Sequence, residues 1–294
     1  MKSAFVAVVG RPSVGKSTLV NLVCGNKVSI ISSVPQTTRN AIRGIINKEQ
    51  GQLVFIDTPG RHSSDKKMNK KLMEVSSRVL NDSDLALYVL DTTREPGEEE
   101  KELASLLAPF AAKTIAALNK TDAQLSNCSR SMDFLAEHLP ALKAERCFEI
   151  SAKTNNGIDA LVNTLYAIAP EGEAFYPGDF YTDQEVDFRI SEIIREQAIL
   201  RLRQELPHAL YVEVADMEFR DQNRRLWVRA FIVVERESQK GMVVGKGGEV
   251  IKAIRQASQK ELAKIFDWKI ELDLRVKTGK DWRSRDNVLR KIVY

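Results

Sequence analysis

Residues 10–18 read Gly10-Arg11-Pro12-Ser13-Val14-Gly15-Lys16-Ser17-Thr18, so that two glycines separated by four residues lead directly into Lys-Ser. Glycines at this spacing let backbone N–H groups curl around phosphate oxygens, and a helix starting there adds its positive dipole end. Lys16 would reach the β- and γ-phosphates of a nucleotide, and the Ser17 hydroxyl would ligate Mg²⁺. The competing reading is a plain strand-to-helix turn. The apolar run at 5–9 before the loop and the helix-like residues 18–23 after it favour the phosphate loop.

Further along stand Asp57-Thr58-Pro59-Gly60, Asn119-Lys120-Thr121-Asp122 and Ser151-Ala152-Lys153. An Asp at position 57 can hold Mg²⁺ through water, and the Gly60 N–H can meet a γ-phosphate. Guanine presents two adjacent donors on one edge, and the Asp122 carboxylate can accept both. Adenine would face that carboxylate with a lone pair instead. The Lys120 stem can lie along the base, Asn119 can tie its loop to the phosphate loop, and a backbone N–H at 151–153 can meet guanine O6. Each string alone is ordinary turn chemistry; their order along one chain specifies guanine. Between the first two motifs lies Pro35-Gln36-Thr37-Thr38-Arg39. A Thr here would complete Mg²⁺ coordination only while γ-phosphate is present, with Thr38 favoured and Thr37 the alternative. Lys16, Thr38 and Gly60 are the residues expected to act in catalysis, and Ser17, Thr38 and Asp57 those expected to hold the metal.

These motifs need a scaffold that brings them together. Short apolar runs at 5–9, 53–56, 85–90, 114–118 and 147–150 alternate with helix-like segments through residue 170. Near-continuous apolar strands separated by helices predict an α/β domain, a mostly parallel sheet with helices on both faces. In such sheets ligands bind beyond the C-terminal strand ends, which is where the strings at 10–18, 57–60, 119–122 and 151–153 fall. The Pro- and Gly-containing stretch 170–178 reads as an interdomain linker. Beyond it the pattern predicts helix, strand, strand, helix, helix, strand, an α+β arrangement. The domains are therefore expected at 1–170 and 182–294, with a linker at 171–181.

Within that second domain, Gly245-Lys246-Gly247-Gly248 sits between an apolar turn and an amphipathic helix. It matches the GxxG loop of a KH domain, which clamps single-stranded nucleic-acid backbone where side chains would block approach. With the element order above, it makes 182–294 an expected RNA-binding domain of the second KH type with a basic tail. Lys240, Lys246, Lys252 and Arg255 surround it. Residues 240–294 hold 14 Lys and Arg against 7 Asp and Glu, whereas the whole chain of 294 residues carries a net charge of only +4. That imbalance suits a polyanion, although a solvated charged face would show the same count. Trp227, Trp268 and Trp282 can stack on bases, with core packing the expected role of the first two.

Composition is that of a globular protein, 43% hydrophobic and 29% charged. Cys24, Cys128 and Cys147 form no Cys-x-x-Cys pair, which fits a reducing compartment. The N-terminus runs from apolar residues straight into the glycine loop and lacks a cleavage site, so it reads as a buried first strand and not as a signal peptide. No apolar run approaches the ~18 residues of a membrane span, and the expected location is the cytoplasm.

Taken together, residues 10–17, 35–39, 57–62, 119–122, 151–153, 176–183, 243–254 and 276–285 make the chain resemble the bacterial Era GTPase family over essentially its whole length. The resemblance implies a GTP- and Mg²⁺-dependent factor in small ribosomal subunit assembly, binding the 3′ end of small-subunit ribosomal RNA through its KH domain. It further implies a monomer with possible peripheral contact to the inner membrane. Two positions depart from the family: Ser13 stands where members usually have Asn, linked in related GTPases to potassium-assisted hydrolysis, and Arg61 where they usually have an apolar residue. Slow intrinsic hydrolysis with weak potassium preference is expected. The alternatives are an RNA-binding protein whose G domain only holds nucleotide, and a P-loop kinase or ATPase, which the guanine motif disfavours.

Overall fold

The computed structural model describes residues 1–32, 37–60, 67–203, 205–222 and 224–292. It separates into two compact units, Met1–Asp183 and Gln184–Ile292.

The first unit runs β1 (Lys2–Val9), α1 (Lys16–Cys24), β2 (Ile42–Lys48), β3 (Gly51–Asp57), α2 (Lys67–Asp82), β4 (Leu85–Asp91), α3 (Glu98–Leu107), β5 (Thr114–Asn119), α4 (Cys128–His138), β6 (Cys147–Glu149) and α5 (Ile158–Ile168). The strands form one sheet in the order β2-β3-β1-β4-β5-β6. β1, β3, β4, β5 and β6 are parallel, and β2 pairs antiparallel with β3 at the edge. Ala4, Val6, Ala7 and Val8 of β1 are all fully buried, as are Leu53, Val54 and Phe55 of β3, because helices cover both faces. β2 is the strand the apolar pattern did not predict. Its sequence Ile42-Arg43-Gly44-Ile45-Ile46-Asn47-Lys48 interrupts apolar residues with a charge and a glycine, and an edge strand can afford both.

Residues 170–183 hold to this unit along its β1–β3–β2 edge. Ser3 N–H donates to the Pro170 carbonyl at 3.0 Å and Gly172 N–H to the Met1 carbonyl at 2.9 Å. The ring of Phe175 packs on Phe5 with centroids 4.3 Å apart. Gln52, fully buried, accepts from Phe175 N–H at 2.8 Å and Tyr176 N–H at 3.0 Å, and donates to the Tyr176 carbonyl at 2.8 Å. Asn47 donates to the carbonyls of Gly178 and Phe180, Ile45 N–H donates to the Tyr181 carbonyl at 3.0 Å, and Arg43 pairs with Asp183 at 2.8 Å. The segment is a strap fastened by these bonds along its length, where its composition had suggested only turns.

The second unit runs α6 (Val186–Ile199), β7 (Leu210–Arg220), β8 (Arg225–Val234), α7 (Glu237–Val244), α8 (Glu249–Leu262), β9 (Lys269–Thr278) and α9 (Asp286–Ile292). Its sheet has the order β7-β8-β9, with β7 and β8 antiparallel and β8 and β9 parallel. Leu226, Val228, Ala230 and Ile232 alternate inward along β8, the period-two pattern of a half-buried strand. α9 follows the strand with which the sequence pattern closed this domain.

Candidate functional site

Parallel strands bring their C-terminal tips to one edge, and there the loops after β1, β3, β4, β5 and β6 meet. Gly15 caps α1 with φ of 102°. This left-handed conformation suits glycine and aims the first turn of α1, with Lys16, Ser17 and Thr18, back at the loop. Ser13 also has positive φ, 65°, where Asn is far commoner than most side chains. Gly60 packs so closely that an added Cβ would come within 2.8 Å of Pro12 Cα and N. Thr58 donates from its hydroxyl to the Val8 carbonyl at 2.7 Å, and the Pro59 carbonyl accepts from the Ser76 hydroxyl at 2.9 Å, so the 57–60 turn is tied at both sides. Arg11 forms an ion pair with Glu100 of α3 at 2.9 Å.

At the centre, Lys16 Nζ donates to the carbonyls of Gly10 and Arg11, both at 2.9 Å. Burial lowers its ammonium to about 8, against the pull of the Asp57 carboxylate. Burial also raises the Asp57 carboxyl, opposed by the Lys16 charge and by the hydroxyls of Ser17, Ser29 and Thr38. Thr38 Oγ1 lies 3.0 Å from Ser17 Oγ and 3.4 Å from Asp57 Oδ2, whereas the Thr37 hydroxyl lies 2.7 Å from that of Ser32. Asp57 Oδ1 is buried with no hydrogen-bond partner among the described residues. Two facing hydroxyls beside a carboxylate that keeps one oxygen unpartnered make an all-oxygen donor set, which fits Mg²⁺. Pro35 and Arg61 lie outside the described residues.

The loop after β5 is braced from three directions. Asn119 Nδ2 donates to the Val14 carbonyl at 2.8 Å, and its Oδ1 accepts from Ala152 N–H at 3.0 Å, which locks this loop to the loop after β1 and to the loop after β6. Thr121 N–H donates to the Ile150 carbonyl at 3.2 Å. Asp122 accepts from the Ser151 hydroxyl at 2.7 Å, with the exposed Lys153 ammonium 3.7 Å away. The Ser151 bond leads the effects that hold its carboxyl below the ordinary value. Lys120 has positive φ, 72°, and its Nζ donates to the Ser13 carbonyl at 2.9 Å and to Asp91 Oδ2 at 2.6 Å.

Asp91, Thr92 and Thr93 went unnoticed in the sequence. Asp91 ends β4, and Thr92, fully buried, donates from both N–H and hydroxyl to the Asn119 carbonyl at 3.1 and 2.9 Å. The available signal was position alone, immediately after an apolar run in the same sheet.

In the second unit α7 ends at Gly245 with φ of 75°, and Gly247 and Gly248 follow at 60° and 81°. A Cβ at Gly245 would meet Val250, while at Gly247 and Gly248 it would meet nothing within 4 Å. The loop therefore presents open backbone at the start of α8, where the helix dipole is positive. Lys246, Lys252 and Arg255 are exposed, and Lys240 pairs with Glu237 at 2.9 Å. Of the tryptophans, the one not expected in the core is the most buried. Trp282 is fully buried, its indole N–H donating to the Ala209 carbonyl at 3.1 Å. Trp227 is half-exposed between the guanidinium groups of Arg220 and Arg229, and Trp268 stacks on Phe266. Part of the basic tail is structural as well, since Arg283 clamps Glu235 at 2.8 and 2.5 Å.

A parallel sheet with these loops at its tip, followed by this α+β unit, defines a P-loop GTPase joined to a KH domain. Family comparison agrees: the family described as 50S ribosome-binding GTPase matches residues 5–120, and the KH domain family matches residues 205–283. GTPase Era of Treponema denticola is 54% identical over 294 residues, covering 100% of both chains, and that of Borreliella afzelii is 43% identical over 293 residues, again 100% of both. Among solved structures, a variant of Aquifex aeolicus Era bound to GDP·AlF₄⁻ superposes with a TM-score of 0.94 at 32% identity, covering 99% of each chain. An Era solved with MgGDPNP and nucleotides 1506–1542 of 16S ribosomal RNA superposes with a TM-score of 0.93 at 32% identity, covering 99% of this chain and 98% of the other. The chain belongs to the Era GTPase family.

Proposed function

We propose that this protein is a GTP-hydrolysing switch that binds the 3′ end of small-subunit ribosomal RNA and acts in assembly of the small ribosomal subunit. The observation that carries the reading is full-length similarity to an Era chain solved with both a Mg²⁺-bound GTP analogue and a 16S fragment. In this reading residues 1–170 hydrolyse GTP, 171–181 link, and 182–294 bind RNA through Lys240, Gly245, Lys246, Gly247, Gly248, Lys252 and Arg255.

Residues 10–18 and 57–60 would hold the phosphates, and 119–122 with 151–153 the guanine base. Ser17, Thr38 and Asp57 would hold Mg²⁺; the facing hydroxyls of Ser17 and Thr38 support Thr38 over Thr37. Mg²⁺, when bound, supplies positive charge against the phosphate oxygens on which negative charge gathers during transfer. Lys16 offers an ammonium already desolvated by burial, which acts more strongly on phosphate than one in water. Gly60 would add a backbone donor at the transferred group. The fixed base loop makes binding selective, because Asp122 is an acceptor on which a purine with one fewer donor loses a partner.

The reading also takes the protein as a cytoplasmic monomer with peripheral contact to the inner membrane. Among the described residues no helix is long and apolar enough to cross a membrane. GTP turnover by the full chain, with and without a 3′-terminal small-subunit ribosomal RNA fragment, tests the central claim. We expect Mg²⁺-dependent phosphate release that is slow alone, about 10⁻³ s⁻¹ as for unassisted GTPases, and faster with RNA. No release above the no-enzyme control in either condition would reduce the G domain to a nucleotide-holding module.

A further inference from the structure

We infer that Asp91 is a positioning residue for nucleotide binding, acting through Lys120, with Thr92 holding the same loop from behind. The inference rests on the reading of residues 119–122 as the base-binding loop and adds a residue outside its motif.

A lysine stem can lie flat on a purine only if its ammonium is held beyond the edge of the ring. Lys120 meets that condition twice, through the Ser13 carbonyl at 2.9 Å and the Asp91 carboxylate at 2.6 Å. The carbonyl alone is a neutral acceptor on a loop whose residue 13 has positive φ. The carboxylate adds a charge-assisted bond, the stronger kind, from the end of a buried strand. Asp91 is itself immobilised, since Oδ1 accepts from Thr93 N–H at 3.0 Å and from the Thr93 hydroxyl at 2.6 Å. Thr92 fastens the neighbouring backbone, donating twice to the Asn119 carbonyl while its hydroxyl meets that of Ser126 at 2.8 Å. The result is a rigid frame in which a residue of β4 sets the direction of a side chain from the loop after β5. Lys120 itself needs positive φ, 72°, an uncommon conformation for a side chain of this kind, and one the two anchors help to hold.

This role differs from that of Asp122. A stem lying on the ring face contacts every purine alike, whereas Asp122 reads the base edge. Loss of Asp91 should therefore weaken guanine and hypoxanthine nucleotides by the same factor.

The test measures the affinities of GDP and IDP for the full-length chain and for Asp91→Ala, Lys120→Ala and the double variant, together with nucleotide-free melting temperatures. We expect Asp91→Ala to weaken both nucleotides about tenfold with their ratio unchanged, and Asp91→Glu to recover part of the loss. In the Lys120→Ala background Asp91→Ala should add little, since the two act as one unit. Losses that multiply in the double variant, or an Asp91→Ala protein that binds GDP as the parent does, would overturn the inference while leaving the base-loop reading intact. A shifted GDP-to-IDP ratio in Asp91→Ala would overturn it too, by assigning Asp91 to edge recognition. Parental GDP affinity in Lys120→Ala would overturn this inference by removing the stem contact through which Asp91 acts, and would leave edge recognition by Asp122 to its own test. The cycle decides even if Asp91→Ala lowers the melting temperature, because a purely structural loss would persist without Lys120.

Discussion

At the scale of single residues, Asp122 accepts from the Ser151 hydroxyl at 2.7 Å, and in the proposed function its carboxylate would receive the paired donors of guanine. Asp122→Asn would turn an amide donor towards guanine's own donors, whereas xanthine carries a carbonyl at the second position. GDP affinity should fall at least about tenfold while xanthosine diphosphate gains. Competition binding of the two nucleotides measures this, and an unchanged preference would remove residues 119–122 from base recognition. Asp122 was legible in the sequence because its neighbours form a contiguous string that specifies both loop shape and chemistry. Asp91 was not, because Asp-Thr-Thr after a strand is ordinary turn chemistry and its partner Lys120 lies 29 residues away. Trp282 was misjudged for a related reason. Flanking residues 278–285 are polar, with no apolar period, and only the fold brings the Ala209 carbonyl to its indole.

At the scale of elements, the parallel strands were readable as apolar runs since burial on both faces leaves little choice of side chain. Edge strand β2 and the strap at 170–183 were not. Among the described residues β2 pairs only with its sequence neighbour β3, and the strap is ordered by hydrogen bonds spanning more than a hundred residues, such as those of Gln52 to Phe175 and Tyr176. Gln52, on β3, also donates to Asn47 of β2 at 2.7 Å, so it ties β2 to the strap. It is fully buried, so Gln52→Ala strands the N–H groups of Phe175 and Tyr176 and the Tyr176 carbonyl away from their side-chain partner. Each buried group left unpaired costs about 1–3 kcal/mol, and partial access to water should hold the total near 2–4 kcal/mol. Amide exchange of Phe175 and Tyr176 in the variant should approach that of an unprotected chain, while β1 and β4 amides keep their protection. Parental protection at Tyr176 would mean that the Asn47 and Arg43 contacts suffice to hold the strap. Because β2 follows on the segment that contains Thr38, the same strap is fastened to the strand leading out of the region proposed to sense the γ-phosphate.

At the scale of the whole molecule, the chain divides its chemistry between two units, and its charge follows the division. The basic excess of residues 240–294 belongs to the unit with the GxxG loop, although pairs such as Lys277 with Glu213 and Arg283 with Glu235 consume part of it. What remains beside the loop is Lys246, Lys252 and Arg255, exposed around three glycines with positive φ. Gly247→Asp separates the two functions. At φ of 60° Gly247 occupies a region that Asp tolerates better than most residues, and an added Cβ meets no atom within 4 Å, so the variant should fold. Its carboxylate would then stand where phosphodiester oxygens approach. Affinity for the ribosomal RNA fragment should drop at least about tenfold, with GTP affinity unchanged because residues 10–18 and 119–122 lie in the other unit. Titrations over a salt series should show parental affinity falling with ionic strength, with a logarithmic slope of about 0.7 per phosphate contact on single-stranded RNA. Parental RNA affinity in a folded Gly247→Asp protein would move the RNA site off this loop. The half-exposed Trp227 on β8 would then become the surface to probe.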